Sequence, residues 1–234
     1  MSATPSSLTT IVPVYNEAVG VQAAIEHIHA EARLRFADHQ LLIIESGSTD
    51  GSAEICDQLA GRLEGVEVIH QAAREGFGSA LRLGFAAARK DLVWVVSSDL
   101  PFPLDAIDQA IPLVAEHDCV LSYRCDDDRT LFRKGQSWAY NTLARTVLSL
   151  GARHVNSQSK LYRRATIQSL PIVSDGWLID TEIVYRLQRA NARCSEIPVP
   201  LTERTTGEST LVPTQPLISL RELLSFAWSE RTAA

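Results

Sequence analysis

The chain has 234 residues, 45% of them hydrophobic and 21% charged, which is the composition of a globular protein long enough to bury a full core. Its formal net charge of −6 excludes the general basic field of a nucleic-acid-binding protein, so an anionic ligand must be held by a local cluster or a metal ion. The four cysteines lack zinc-site spacing, the N-terminus lacks a signal-peptide pattern and no apolar run approaches the ~18 residues of a membrane span. Together these features predict a cytoplasmic protein with reduced, mostly buried thiols.

The first half of the chain alternates strand and helix signals. Four apolar runs are predicted to be buried strands, at residues 8–14, 41–44, 66–69 and 92–96. Apolar residues at helical spacing follow each of the first three runs, and Asn16 is predicted to cap the first helix. Repeated units of this kind predict an α/β fold with a doubly wound, mainly parallel sheet and helices on both faces.

The second half is less regular, but it contains recognisable elements. Helices are predicted at 131–150 and 180–190, short strands near 160–164 and at 194–199, and a mobile loop at 202–210. The sequence contains no linker, so residues 1–234 are predicted to form a single domain.

Polar clusters follow each of the four predicted strands, where a doubly wound sheet places its ligand crevice. The most informative cluster is Ser97-Ser98-Asp99, which ends the apolar run that begins at Leu92. A single carboxylate delivered there indicates a ligand for a divalent cation or for a sugar hydroxyl. Ser97 stands where a second carboxylate is expected.

Five segments resemble, in order and spacing, the motifs of family-2 glycosyltransferases, which have the GT-A nucleotide-sugar-binding fold. They are residues 11–17, 45–51, 76–81, 97–99 and 176–182. The likeness covers roughly residues 8–200 and is greatest to the dolichyl- and polyprenyl-phosphate sugar synthases. It implies an inverting enzyme that moves a sugar from a nucleotide-diphosphate sugar to polyprenyl phosphate.

The resemblance assigns a donor-binding half to residues 8–123. Its nucleotide-sugar site comprises Pro13, Tyr15, Glu17, Glu45, Ser97, Ser98 and Asp99. Asp99 is the predicted catalytic ligand of Mg or Mn, and Glu45 is predicted to accept a hydrogen bond from a base ring nitrogen. Because Ser97 supplies no charge and Pro101 replaces a Gln ligand found in many members of the subgroup, the metal site is expected to be weak. For Tyr15 and Glu17, an ordinary helix start is the alternative reading.

An acceptor-binding half is assigned to residues 124–212. Its predicted phosphate ligands are Arg124, Arg133, Ser137 and Lys160, with Arg204 and Ser209 on a loop that closes over the donor phosphates. Asp180 is the second predicted catalytic residue. It would position the acceptor or sugar, or act as a base if the acceptor is an alcohol. The alternatives are that the arginines pair with the Asp residues at 126–128 and that Asp180 and Glu182 are N-cap residues.

Residues 213–234 are predicted to contain an amphipathic C-terminal helix. It either lies peripherally on a membrane near a lipid acceptor, or packs against the domain or a second subunit to form a homodimer. Two alternatives to the proposed function remain open. One is a glycosyltransferase with a soluble small-molecule or glycan acceptor. The other is a catalytically impaired nucleotide-sugar-binding relative, because Ser46, Phe77, Ser97 and Pro101 all depart from the family's usual residues.

Overall fold

A computed structural model describes residues 6–100, 102–127, 130–156, 159–201 and 215–232. Its strands are β1 (Ser7–Val14), β2 (Asp38–Glu45), β3 (Val66–His70), β4 (Leu92–Val95), β5 (Cys119–Asp127), β6 (Lys160–Arg163) and β7 (Cys194–Leu201). They form one sheet in the order β3-β2-β1-β4-β6-β5-β7. Within the described chain, β6 alone runs antiparallel to its neighbours, so the predicted mainly parallel sheet is confirmed.

Helices cover both faces of this sheet. They are α1 (Val21–Arg35), α2 (Ser52–Arg62), α3 (Phe77–Ala87), α4 (Ile107–Ala110), α5 (Leu131–Leu148), α6 (Arg164–Ser169), α7 (Ile179–Arg189) and α8 (Gln215–Thr232). Because successive side chains of a strand point to opposite faces, β1 sends Val12 into a core with α1 and α2, and Ile11 into a core with α3 and α7. The predicted arrangement of helices on both faces is therefore confirmed.

The start of α1 differs from the prediction. Gly20 occupies the N-cap position, so the expectation that Asn16 caps this helix is wrong. Asn16 instead adopts a left-handed backbone conformation (φ 52°), and its side-chain oxygen accepts a hydrogen bond from the backbone N–H of Thr49. Its amide oxygen thus ties two loops together.

The cysteines divide between core and surface. Cys56 and Cys119 are buried as predicted, whereas Cys125 is half-buried and Cys194 is exposed. The expectation of mostly buried thiols is therefore wrong for Cys194, which lies on β7 directly beside Cys119. The predicted loop at 202–210 lies outside the described residues.

The predicted C-terminal helix is present. Leu223, Phe226 and Ala227 are buried in the core that α7 also lines, whereas Leu224 and Trp228 are exposed. One face of α8 therefore packs against the domain. Among the described residues, no helix is both long and apolar enough to span a bilayer.

Candidate functional site

The sheet register gathers the predicted site residues at one edge. Glu45 pairs with Val14 on β1 and with His70 on β3, so the carboxyl ends of these three strands are level. On the other side of β1, Val95 of β4 pairs with Lys160, the first residue of the antiparallel strand β6. The same Lys160 pairs with Leu121 on β5, three residues before Arg124. Residues from the two predicted halves therefore meet along one crevice.

Hydrogen bonds fasten the loop after β1 to the loop after β2. The backbone N–H of Asn16 donates to Ser48 Oγ (3.0 Å), and that of Ala18 donates to Asp50 Oδ2 (3.0 Å). Asp50 also accepts from the backbone N–H of Ser52 (3.0 Å) at the start of α2. Ser48 and Asp50 therefore hold the two loops together.

The end of β1 and the loop after it carry the predicted nucleoside-binding residues. Pro13 is half-buried on β1, and the backbone N–H of Glu17 donates to Ser52 Oγ (2.9 Å). The guanidinium carbon of Arg74 lies 4.3 Å from the centroid of the Tyr15 ring, a cation–π contact. The sequence signalled Arg74 only through its polar cluster after β3, so its contact with Tyr15 was missed.

Glu45 is anchored inside the protein. The residue is only 2% exposed. Its carboxylate accepts a hydrogen bond from the backbone N–H of Ser48 (2.5 Å) and pairs with His70 Nδ1 (3.0 Å). Burial raises the pKa of Glu45, but the bonds from His70 and Ser48 outweigh it and leave that pKa below its ordinary value. Contact of Glu45 with a base stays a prediction.

His70 bridges two carboxylates, a role that the sequence did not indicate. Its Nδ1 faces Glu45, and its Nε2 lies 2.9 Å from Asp57 Oδ1. The hydrogen bond to Glu45, followed by that to Asp57, raises the pKa of His70. The sequence signal that could have indicated this role is the position of His70, because it is the last residue of β3 and the predicted site residues follow the ends of the strands.

Arg124 and Ser137 are brought together as phosphate-site residues would be. Arg124 Nη1 donates to Ser137 Oγ (3.0 Å) on α5, and its Nη2 donates to the carbonyl of Asn156 (3.3 Å). The backbone N–H of Arg124 donates to the ring of His154 (3.0 Å), a contact that the sequence did not suggest. The side chains at 126–129 and at Arg133, together with Arg204 and Ser209, lie outside what the structure describes, so their predicted roles stay open.

Lys160, at the start of β6, and Asp180, in the first turn of α7, form an ion pair. Their side chains are only 5% and 13% exposed, respectively. The sequence assigned Lys160 to the acceptor phosphate and Asp180 to catalysis. The structure instead turns the Lys160 ammonium towards Asp180.

The chain has relatives of known family. Residues 9–170 match the family model described as glycosyl transferase family 2. The chain belongs to this family. Over 82% of its length it is 30% identical to the glycosyltransferase AglD of Haloferax volcanii, of which it spans 32%. Over 86% of its length it is 25% identical to the undecaprenyl-phosphate mannosyltransferase of Micrococcus luteus, of which it spans 85%.

A solved structure shares the fold of this family-2 glycosyltransferase. It is the glucosyl-3-phosphoglycerate synthase of Mycobacterium tuberculosis, crystallised with Mn2+, UDP and phosphoglyceric acid. The TM-score is 0.72 at 18% identity, with 95% of this chain and 78% of that chain covered. The predicted family and the GT-A fold are therefore confirmed.

Two of the five motifs of the glycosyltransferase meet across the site. The backbone N–H groups of Gly78 and Ser79, at the start of α3, donate to the carbonyl of Asp175 (2.8 and 3.1 Å). Next to them, the rings of Phe77 and Trp177 stack with centroids 4.8 Å apart. The glycines of the motif at residues 76–81 thus allow the backbone beside the motif at residues 176–182 to approach α3 closely.

Glu182 is a structural residue of this glycosyltransferase. It is fully buried and accepts hydrogen bonds from the backbone N–H groups of Val173 and Ser174 (2.8–3.2 Å). Arg186, one turn later on α7, contacts the same carboxylate and also pairs with Glu230 on α8. Glu182 therefore fixes the segment before α7. The alternative that Asp180 and Glu182 are N-cap residues is wrong, because Leu178 occupies the N-cap position of α7 and both residues lie in its first turn.

The Ser97–Asp99 segment fits a cation that is shared with the substrate. All three residues are half-buried, and Leu100 has a positive φ of 45°, a strained conformation typical of functional sites. Pro101 is outside the described residues. Among the residues described, no three His, Cys, Asp or Glu side chains are grouped to hold a metal. Mg2+ commonly takes one or two carboxylates and completes its shell with phosphates and water, so a single protein carboxylate is compatible with a bound Mg2+.

Proposed function

We propose that this family-2 glycosyltransferase transfers a sugar from a nucleotide-diphosphate sugar to a polyprenyl phosphate, with inversion at the anomeric carbon. The proposal rests on two observations: Arg124 donates a hydrogen bond to Ser137, and Lys160 pairs both with Val95, four residues before Asp99, and with Leu121, three residues before Arg124. A guanidinium and a hydroxyl suit an acceptor phosphate, and a carboxylate suits the cation of a donor diphosphate. The undecaprenyl-phosphate mannosyltransferase of Micrococcus luteus supports the choice of acceptor.

The chemistry is a direct displacement. An oxygen of the acceptor phosphate forms a bond to the anomeric carbon while the bond from that carbon to the diphosphate breaks, and the nucleoside diphosphate leaves. A phosphate oxygen is already anionic near neutral pH, so the reaction needs no strong base. A divalent cation held by Asp99 would neutralise charge on the leaving diphosphate. Arg124 and Ser137 orient the acceptor phosphate on the opposite side of the sugar.

The test measures transfer from a panel of UDP- and GDP-sugars to a short-chain polyprenyl phosphate, with a soluble phosphate ester and a simple alcohol as competing acceptors. We expect transfer to the lipid phosphate, and we expect Arg124→Met to raise the KM for that acceptor at least about tenfold. Arg33→Met, on the exposed surface of α1, is the matched control and should behave as wild type. Transfer only to a soluble acceptor would refute the proposed acceptor, and absence of turnover with every donor would refute the enzymatic proposal.

We also propose that the protein works at a membrane surface through peripheral contact. Leu224 and Trp228 are exposed apolar side chains of α8 that can make this contact, and Trp is favoured at membrane interfaces. Liposomes containing polyprenyl phosphate should sediment the wild type more than Leu224→Ser/Trp228→Ser. Equal sedimentation of the two proteins would refute the contact. Light scattering on the same variants tests the alternative that α8 forms a homodimer.

A further inference from the structure

The Lys160–Asp180 pair is more deeply buried than the other lysine–carboxylate pair of the described chain. Lys90 and Asp38 also form an ion pair, but their side chains are 25% and 63% exposed. Removing two charges from water is costly, and an ion pair at this depth persists only when each partner compensates the other. The Lys160 ammonium is therefore committed to Asp180, and a role as a freely reaching phosphate ligand does not agree with its burial.

Lys160 lies between β4 and β5, the two strands that lead to or carry the residues proposed to bind the donor and the acceptor. Lys160 is hydrogen-bonded in register beside Val95, four residues before Asp99, and beside Leu121, three residues before Arg124. It also follows Ser159, whose hydroxyl accepts a hydrogen bond from the buried Trp94 indole (3.1 Å). The backbone at Lys160 is thus held by both neighbouring strands, and its side chain is restrained by the ion pair with Asp180.

Asp180 is held equally firmly from the helix side. It lies in the first turn of α7, next to Thr181, whose hydroxyl bonds to Tyr140 on α5 (2.9 Å). The neighbouring Glu182 binds the backbone of the preceding segment. Since the backbone is immobilised, the contact with Lys160 determines where the Asp180 carboxylate sits.

An ionised carboxylate by itself would repel both the donor diphosphate and the acceptor phosphate. Paired with Lys160, Asp180 adds no net charge to the crevice, and its carboxylate can still accept a hydrogen bond from a hydroxyl. The chemical group between the two phosphates that carries hydroxyls is the sugar that is transferred.

We propose that Lys160 is a positioning residue, which neutralises Asp180 and holds it to accept a hydrogen bond from a hydroxyl of the transferred sugar. The inference rests on the proposed function, because it assigns the sugar to the space between Asp99 and Arg124. It differs from the sequence-based assignment of Lys160 to the acceptor phosphate.

The two roles predict different kinetics. A positioning role predicts that Lys160→Met lowers kcat at least about tenfold and changes the KM for polyprenyl phosphate less than about twofold. A phosphate-binding role predicts a raised KM for polyprenyl phosphate with kcat retained, and this result would overturn the inference. Lys90→Met, at the opposite edge of the sheet, is the matched control and should leave both constants unchanged.

Folding and function are separated by the double variant. Because Lys160→Met leaves Asp180 without its partner, thermal unfolding is measured for Lys160→Met, Asp180→Asn and Lys160→Met/Asp180→Asn. The double variant, which buries no charge at this position, should fold and should be no slower than Asp180→Asn alone, since the two residues act as a unit. A double variant with wild-type kcat, or with the product of the two single losses, would overturn the inference.

The same assay keeps the two proposals apart. If the wild type transfers sugar only to a soluble acceptor, the proposed acceptor fails, and the comparison of kcat with KM is made on that reaction. If it turns over no donor with any acceptor, both proposals fail together.

Discussion

The close approach of Gly78 to the segment before α7 predicts a large effect of a small substitution, Gly78→Ala. A Cβ atom at this position would lie 2.4 Å from the carbonyl oxygen of Ser174 and 2.8 Å from that of Gly176. Both are backbone atoms, so no side-chain rotation relieves the clash. The segment must move away from α3, and the hydrogen bonds from Gly78 and Ser79 to Asp175 must lengthen.

The magnitude follows from these contacts. Overpacking of a close-packed site costs about 1–3 kcal/mol, and each weakened hydrogen bond costs about 0.5–1.5 kcal/mol. Replacing a helical glycine by alanine returns about 0.5–1 kcal/mol. We therefore expect Gly78→Ala to lower the free energy of unfolding by about 3 kcal/mol, a large part of the stability of a typical domain.

The effect is measured by urea unfolding of Gly78→Ala and of Gly61→Ala, which is the matched control. Gly61 lies within α2, and an added Cβ there meets no heavy atom within 4 Å. Gly61→Ala should therefore stabilise the protein by up to about 1 kcal/mol through helix propensity alone. If Gly78→Ala proves as stable as Gly61→Ala, the reasoning about the close approach is wrong.

Three further predictions concern charges. The stability advantage of wild type over His70→Gln should be full below about pH 6.5, the ordinary value for histidine, and should fade as the pH rises through the raised pKa of His70. Thermal unfolding from pH 5.5 to 9 measures it, and a pH-independent difference contradicts it. Arg186→Met should cost about 3–5 kcal/mol in urea unfolding because it leaves the carboxylate of Glu182 buried without its charge partner, whereas Arg89→Met, in an exposed pair, should cost less than about 1 kcal/mol. Asp99→Asn should slow transfer at least about 100-fold and abolish its dependence on Mn2+; rates within twofold of wild type would exclude a role for Asp99.

The sheet was predictable because its strands are buried on both faces. Leu41, Leu42, Ile43 and Ile44 are all fully buried, and such continuous apolar runs occur in parallel sheets covered by helices. Polar residues resume where each strand leaves the core, which is why the sequence also located the edge that carries the site.

The face on which α8 packs was not predictable from its own residues. The helix has apolar side chains on more than one side, and periodicity does not say which side is buried. The choice is made by α7, where Tyr185 stacks edge-on against Phe226 and Arg186 pairs with Glu230. These are contacts between residues some 40 positions apart, and local sequence patterns carry no information about them.

The site pairs were missed for the same reason. The sequence indicated Lys160 and Asp180 separately, and it assigned no role to His70. The place of Lys160 depends on the order of strands in the sheet, and that order includes one antiparallel strand, β6, inserted between β4 and β5. The prediction of repeated parallel units gave no reason to expect this insertion.

The insertion of β6 sets the spacing of the two strands on which the proposed site depends. β4 leads to Asp99, β5 carries Arg124, and β6 separates these two strands. Neighbouring strands lie about 4.8 Å apart, so β4 and β5 lie about 10 Å apart. In the proposed reaction, the transferred sugar would occupy the gap between the donor diphosphate and the acceptor phosphate. Lys160 begins β6 in this gap, so the strand that places the proposed positioning residue also sets the spacing of β4 and β5.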